Sequence, residues 1–225
     1  VIVPGVLEVV RPTGDACPVL FDLPHSGREY PADFGSVLPL EILRRGEDAY
    51  VDELLADAPG QGITVLKALF PRCYLDLNRE PDDVDPALVS DAPAGAFRPS
   101  DKSRRGIGLI RRDVVPEHRI YDRLLGLAEV EARIDRYHRP YHRTLGKALE
   151  RLRRQFGAVC HIDWHSMKSV GNANTPDGPG MRRPDFVIGD LHGHACSPVL
   201  TELVSRTLTD MGYSVSVNDP YSGGG

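Results

Sequence analysis

Nowhere in the 225 residues does an apolar run approach the roughly 20 needed for a helix to cross a bilayer, so no membrane span is expected. The opening Val1-Ile2-Val3-Pro4-Gly5 lacks the basic-then-apolar layout of a secretory signal, and a cytoplasmic location is the expectation. Cysteine is scarce. Cys17, Cys73, Cys160 and Cys196 lie far apart, without a C-x-x-C pair, which removes zinc ribbons and dithiol redox motifs and leaves buried thiols as the reading. Aromatic residues make up only 7% and the net charge is -5, so the basic, aromatic-laced face of a nucleic-acid binder is missing. There is no G-x-S-x-G elbow for a serine hydrolase and no H-E-x-x-H zinc helix. Gly106-Ile107-Gly108 lacks the Lys-Ser/Thr ending of a phosphate loop.

What is present is an ordinary folded chain. With 41% hydrophobic and 26% charged residues it belongs with globular rather than fibrous or disordered proteins. Its length suits one large α/β domain and is short for two independent cores, so residues 1–225 are expected to form a single domain. Four apolar runs read as strands: residues 18–23, which lead into Pro24-His25-Ser26-Gly27, then 63–69, 157–166 and 186–190. A short segment, 73–77, is read with them and delivers Asn78 and Arg79. Helical spacing covers residues 38–56, broken at Gly46, and 120–156, divided at Pro140. A last helix, 198–211, opens after Ser197 as N-cap and closes at Gly212. This alternation predicts an α/β fold, a mixed, mostly parallel sheet covered by helices on both faces. Residues 80–105 and 170–184 are long, rich in loop formers, and read as lids or mobile segments.

In open α/β sheets the reacting groups collect beyond the carboxyl ends of the strands. His25, the Asn78-Arg79 pair, and Asp163 with His165 all fall at such ends. Positions 161, 163 and 165 share one strand face, so Asp163 can stand beside His165 while Trp164 packs opposite. A carboxylate on the far nitrogen of a metal-bound imidazole is a common supporting arrangement. A catalytic zinc takes three protein ligands of His and carboxylate type and keeps a fourth position for water, whose pKa falls to about 7. Two histidines do not complete that set; Glu47, Asp48 and Asp52 each offer a third ligand. Arg72 and Arg79 present planar forks that match carboxylates, and an arginine near a metal can steady an oxyanion. Their plain reading is an ion pair with Asp76 or Asp82. The cluster Arg104, Arg105, Arg111 and Arg112 reads as a solvated face or as the wall of a pocket for a small acidic substrate. His138 and His142 share a helix face but are not read as a metal pair; His142 is read as bracing the site or capping a carbonyl. His192 and His194 sit in a turn after the fourth strand, where a pocket-lining role is an option.

Taken in order, Pro24-His25-Ser26-Gly27, Asp48 with Asp52-Glu53-Leu54, Arg72 with Asp76-Leu77-Asn78-Arg79, Pro140-Tyr141-His142 and Asp163-Trp164-His165-Ser166 resemble the motifs of N-formylglutamate amidohydrolases, or deformylases. The Asp-Leu-Asn-Arg string is also similar to that of zinc acylases acting on N-acetylaspartate and N-succinylglutamate. The fold this implies is zinc-carboxypeptidase/phosphorylase-hydrolase-like. The resemblance implies a metal on His25, Asp48 and His165, Zn2+ first and another divalent metal as the alternative, with Asp52 still competing with Asp48. It implies catalytic roles for Arg72 and Asp163, and substrate contacts from Arg72, Asn78, Arg79 and His142. The implied reaction cleaves the amide of a small N-acyl acidic amino acid, N-formyl-L-glutamate first, giving formate and glutamate as a step of histidine breakdown. Neither nucleic acid nor membrane is an implied partner. Two alternatives stand beside it: hydrolysis of another N-acyl amino acid or small peptide, and a catalytically silent zinc-containing metabolite-binding protein. The resemblance puts the general base on a glutamate in a strand after a Gly-Gly turn. Residues 218–225 end at such a turn, so the chain is expected to lack its C-terminal strands, and no base is named.

Overall fold

β-branched and apolar runs bounded by Gly, Pro and Asp become the strands of a computed structural model that describes residues 1–173 and 175–223. The last two glycines of the expected terminal turn lie outside the described residues. The strands are β1 (Ile2–Val3), β2 (Leu7–Val10), β3 (Val19–Leu23), β4 (Thr64–Ala68), β5 (Cys160–Asp163), β6 (Phe186–Ile188) and β7 (Val215–Val217). The helices are α1 (Leu40–Leu43), α2 (Val51–Leu54), α3 (Asp101–Arg104), α4 (Leu127–Arg133), α5 (Arg139–Phe156) and α6 (Pro198–Asp210), with short 3-10 turns between. They fall into two compact units, Val1–Ser166 and Met167–Gly225.

The first unit carries a five-stranded sheet in the order β1-β2-β4-β3-β5. β3 lies parallel to both β4 and β5, while β1 and β2 add an antiparallel edge. The expected α/β architecture, a mixed sheet with helices against both faces, is what forms. Alternation along the strands explains the layers: Leu20 packs with Ala148 and Leu152 of α5, whereas Phe21, Leu23 and Val65 pack with Val51 and Ala58. Leu7, Val9 and Leu66 reach into the largest cluster, with Phe70, Tyr74 and Tyr141. Each such buried side chain contributes about 1.5–3 kcal/mol.

Several expected boundaries are corrected. The long helix starts at Leu127 rather than 120 and is not divided at Pro140. Instead α4 passes into α5 through a π-helical turn, Ile134–His138, in which the Arg139 N–H donates to the carbonyl of Ile134, five residues back. The wider turn makes room for the proline ring, which would otherwise press on a carbonyl of the preceding turn. Residues 73–77 are turn and irregular backbone and not a strand, although all five are buried, and the Asp76 N–H donates to the Leu109 carbonyl at 2.8 Å. The helix read over 38–56 splits into α1, a 3-10 turn and α2, and residues 47–50 between them are not helical. Within 80–105, Val84, Leu88 and Val89 are core residues, so this stretch is packed rather than a free lid. The antiparallel strands β1 and β2 have no counterpart among the strands read from the sequence. Of the cysteines only Cys73 is buried; Cys17, Cys160 and Cys196 are half-buried.

In the second unit β6 and β7 form a parallel pair joined through α6. Ser197 stands at the N-cap of α6 without a capping side-chain bond. Gly212, at φ +92°, follows the helix end as a left-handed glycine should. Among the described residues no helix is long and apolar enough to cross a membrane.

Candidate metal centre

Three loops bring the ligand candidates together. After β3, Gly27 lies so close to the segment following β4 that a Cβ there would meet the Phe70 carbonyl oxygen at 2.3 Å, so only glycine lets the two loops lie against each other. Glu29 N–H fastens the contact by donating to the Leu69 carbonyl at 2.7 Å. His25 is thereby fully buried at the sheet end. Asp48 comes from the gap between α1 and α2, where its N–H donates to the His25 carbonyl at 3.1 Å. His165 follows β5, while Trp164 turns to the opposite face and packs edge-on against Phe21 with ring centroids 5.3 Å apart.

His25, Asp48 and His165 each offer one ligand atom, all within 4.8 Å of one another, and this is the one such trio found among the described residues. The two Nδ1 atoms are 3.1 Å apart, and Asp48 Oδ2 is 2.9 Å from His165 Nδ1 and 3.6 Å from His25 Nδ1. Both far nitrogens meet carboxylates: His25 Nε2 lies 2.8 Å from Asp76 Oδ1, and His165 Nε2 lies 3.1 Å from Asp163 Oδ2. An ionised carboxylate only accepts, so each ring keeps its proton on Nε2. Both Nδ1 lone pairs then point at one another and at an anionic oxygen. Such a meeting of three acceptors requires a cation between them, and the donor set and crowding suit a divalent metal. Desolvation disfavours a charged His165, yet its bonds to Asp163 and Asp48 push it up to about 10. Burial likewise disfavours the Asp48 anion, but the Arg72 guanidinium together with the bonds to His165 and His25 more than reverses this, holding the carboxyl far below its usual range.

The remaining sequence candidates fall around this trio. Asp52 is bound to Arg28 at 2.9 Å, and Glu47 accepts from Tyr30 at 2.8 Å, so the geometry brings Asp48 alone of the three acids to the histidines. Arg72 reaches Asp48 Oδ1 at 3.2 Å and clasps Asp76 Oδ2 at 2.9 Å. Asn78 donates to Asp163 Oδ2 at 2.6 Å and lies 3.0 Å from His165 Nε2. Arg79 donates to the carbonyls of Ile107 and Asn78, and among the described residues it forms no ion pair, unlike its plain reading. His142 Nε2 lies 2.9 Å from the Leu77 carbonyl. His192 and His194 belong to the second unit.

Two residues carry more of the site than their sequence context suggested. Asp76, with its side chain wholly buried, accepts from His25, Arg72, Arg111 and the Asn78 N–H. Arg111, grouped by sequence with a solvated or pocket-lining cluster, is buried against it at 3.1 Å. For Asp76 the available signal was a single charge inside the apolar run 73–77, since a charge is buried only with a partner; Arg111, followed directly by Arg112 and Asp113, offered no such signal.

With this geometry established, likeness to known proteins can be set beside it. The model of the family described as N-formylglutamate amidohydrolase matches residues 17–225. N-formylglutamate deformylases of Pseudomonas putida and Pseudomonas aeruginosa are 31% and 33% identical to it, over 92% of this chain and 72% of each relative. The crystal structure of N-formylglutamate amidohydrolase from Ralstonia eutropha JMP134 superposes with a TM-score of 0.89 at 43% identity, covering 97% of this chain and 78% of that one. A gene product of Agrobacterium tumefaciens shares the fold at a TM-score of 0.65 and 19% identity, over 96% of this chain and 74% of its own. Matched from ahead of its first histidine ligand candidate to its last residue, the chain belongs to the N-formylglutamate amidohydrolase family.

Proposed function

We propose that this protein hydrolyses N-formyl-L-glutamate to formate and glutamate, using zinc held by His25, Asp48 and His165. The observation that carries the metal assignment is the convergence of two Nδ1 lone pairs and a carboxylate oxygen on one point. Bound there, zinc would polarise the formyl carbonyl and lower the pKa of a coordinated water to about 7. The chain's own groups prepare that chemistry. Asp76 and Asp163 hold the two rings in one tautomer, and Arg72 balances the negative charge of Asp48 while standing where it can steady an oxyanion. Asn78 keeps Asp163 against the far nitrogen of His165. Arg79, whose charge meets no carboxylate among the described residues, is assigned to a substrate carboxylate. We infer a cytoplasmic step of histidine breakdown from the same family resemblance.

The direct test is formate release from N-formyl-L-glutamate by purified protein supplied with zinc, with and without a chelator. Release that the chelator stops is the expected result, and no release from zinc-loaded protein overturns the assignment. Arg79→Ala is expected to lower kcat/KM for this substrate about 10- to 100-fold, from the roughly 1.5–3 kcal/mol of hydrogen bonds to a charged group. Neutral N-formyl amino acids should lose little, and equal losses on both would remove Arg79 from carboxylate recognition.

A further inference from the structure

Leu77, Asn78 and Arg79 form a segment on which the site depends, yet neither strand nor helix holds it. Its backbone is gripped from the side by the long helix. His138 Nε2 lies 2.9 Å from the Arg79 carbonyl oxygen, and His142 Nε2 lies 2.9 Å from the Leu77 carbonyl oxygen. Carbonyls only accept, so each ring donates from Nε2. The rings stand one helical turn apart with centroids separated by 4.3 Å. Their two acceptors flank Asn78, whose carboxamide donates to Asp163 Oδ2 and meets His165 Nε2. A continuous line of contacts therefore runs from the helix, through three residues of backbone, to the carboxylate that orients a ligand histidine.

The helix is modified where this grip begins. His138 is the last residue of the π-helical turn Ile134–His138, a geometry that is rare, occurs mostly as single turns within α-helices and is frequent at functional sites. His138 itself is buried, and burial, with His142 next, lowers it to about 4, so the ring is a neutral donor near neutral pH.

We propose that His138 and His142 are positioning residues, a pair of donors that fix the Leu77-to-Arg79 backbone so that Asn78 stays on Asp163. They act through Asn78 and need not touch substrate. The role assigned here rests on the deformylase reading only for its activity readout, because the placement of Asn78 can be measured without any substrate.

The experiment follows the Asn78 carboxamide resonances in isotope-labelled protein, identified by their loss in Asn78→Ala. In the double variant His138→Ala with His142→Ala they are expected to move to the position of a free carboxamide. In the pair His138→Gln with His142→Gln, whose amides keep an N–H donor, they should return toward wild type. Unmoved resonances in a folded double alanine variant overturn the proposal. In parallel, kcat for formate release is expected to fall roughly 10- to 100-fold in the double alanine variant, the usual effect of losing a group that supports a metal ligand. That loss should vanish when the same changes are made on top of Asn78→Ala, because both act through one residue; additive losses would refute the proposed route. Wild-type protein that releases no formate while its Asn78 signal still depends on the two histidines refutes the deformylase reading and supports the clamp.

Discussion

His165→Ala is expected to abolish metal retention and reduce formate release to background. A four-ligand structural zinc site binds with roughly 10–16 kcal/mol, or about 3 kcal/mol per ligand, so losing one of three costs about 100-fold or more in affinity. The effect is enlarged by what remains. His25 Nδ1 and Asp48 Oδ2 are 3.6 Å apart, and without His165 the side chain of Asp163 has no ring to orient. Equilibrium dialysis with metal quantification reads the result directly. Full zinc occupancy in the variant would remove His165 from the ligand set.

Asp76→Ala should produce the largest loss of stability in the first unit. Its carboxylate is completely buried and satisfies His25, Arg72 and Arg111 at once. Removing one partner of a buried ion pair costs about 3–5 kcal/mol, a large share of the roughly 5–15 kcal/mol available to a domain. Arg111 would be left buried beside Arg72 with no anion between them. Burial alone would raise the Asp76 carboxyl, but Arg72, His25 and Arg111 outweigh it and hold it well below 3.8. A depressed native pKa stabilises the fold above the unfolded value, and that contribution is lost as pH falls through the native one. Wild type should therefore keep its fold in mild acid. Denaturant titration of Asp76→Ala within about 1 kcal/mol of wild type would contradict this account.

Much of the framework was legible because its signals are local. Residues 18–23, 63–69 and 157–166 each carry a β-branched or alternating run, and each contains a strand of the parallel core. His25 and His165, which the structure brings within 3.1 Å of each other, are singled out by a local rule, since strand ends in α/β sheets are where polar groups gather. Residues 73–77 misled because a short buried apolar run looks alike whether sheet partners or a neighbouring loop satisfy its backbone, and here Leu109 supplies the bond. The choice of Asp48 over Asp52 turns on where a helix breaks: Tyr50, at φ +65°, is a left-handed residue that no periodicity announces. The hub role of Asp76 depends on Arg111, 35 residues away, and pairings at that distance leave no pattern in a single sequence.

The strand order has a consequence for how the chain comes into being. β3 is paired on one side with β4 and on the other with β5, whose residues begin only at Cys160. During synthesis the site-bearing strand therefore waits with one edge unsatisfied until the helix through Phe156 has been made. His25 meets its partner 140 residues later, a long loop to close and a pairing of the slow, non-local kind. A chain halted before that point would present an open parallel edge, the feature most inclined to recruit another copy. On the proposed ligand set, metal capture would be a signal of completion for the first unit, because His165 arrives only with the strand that seals the sheet.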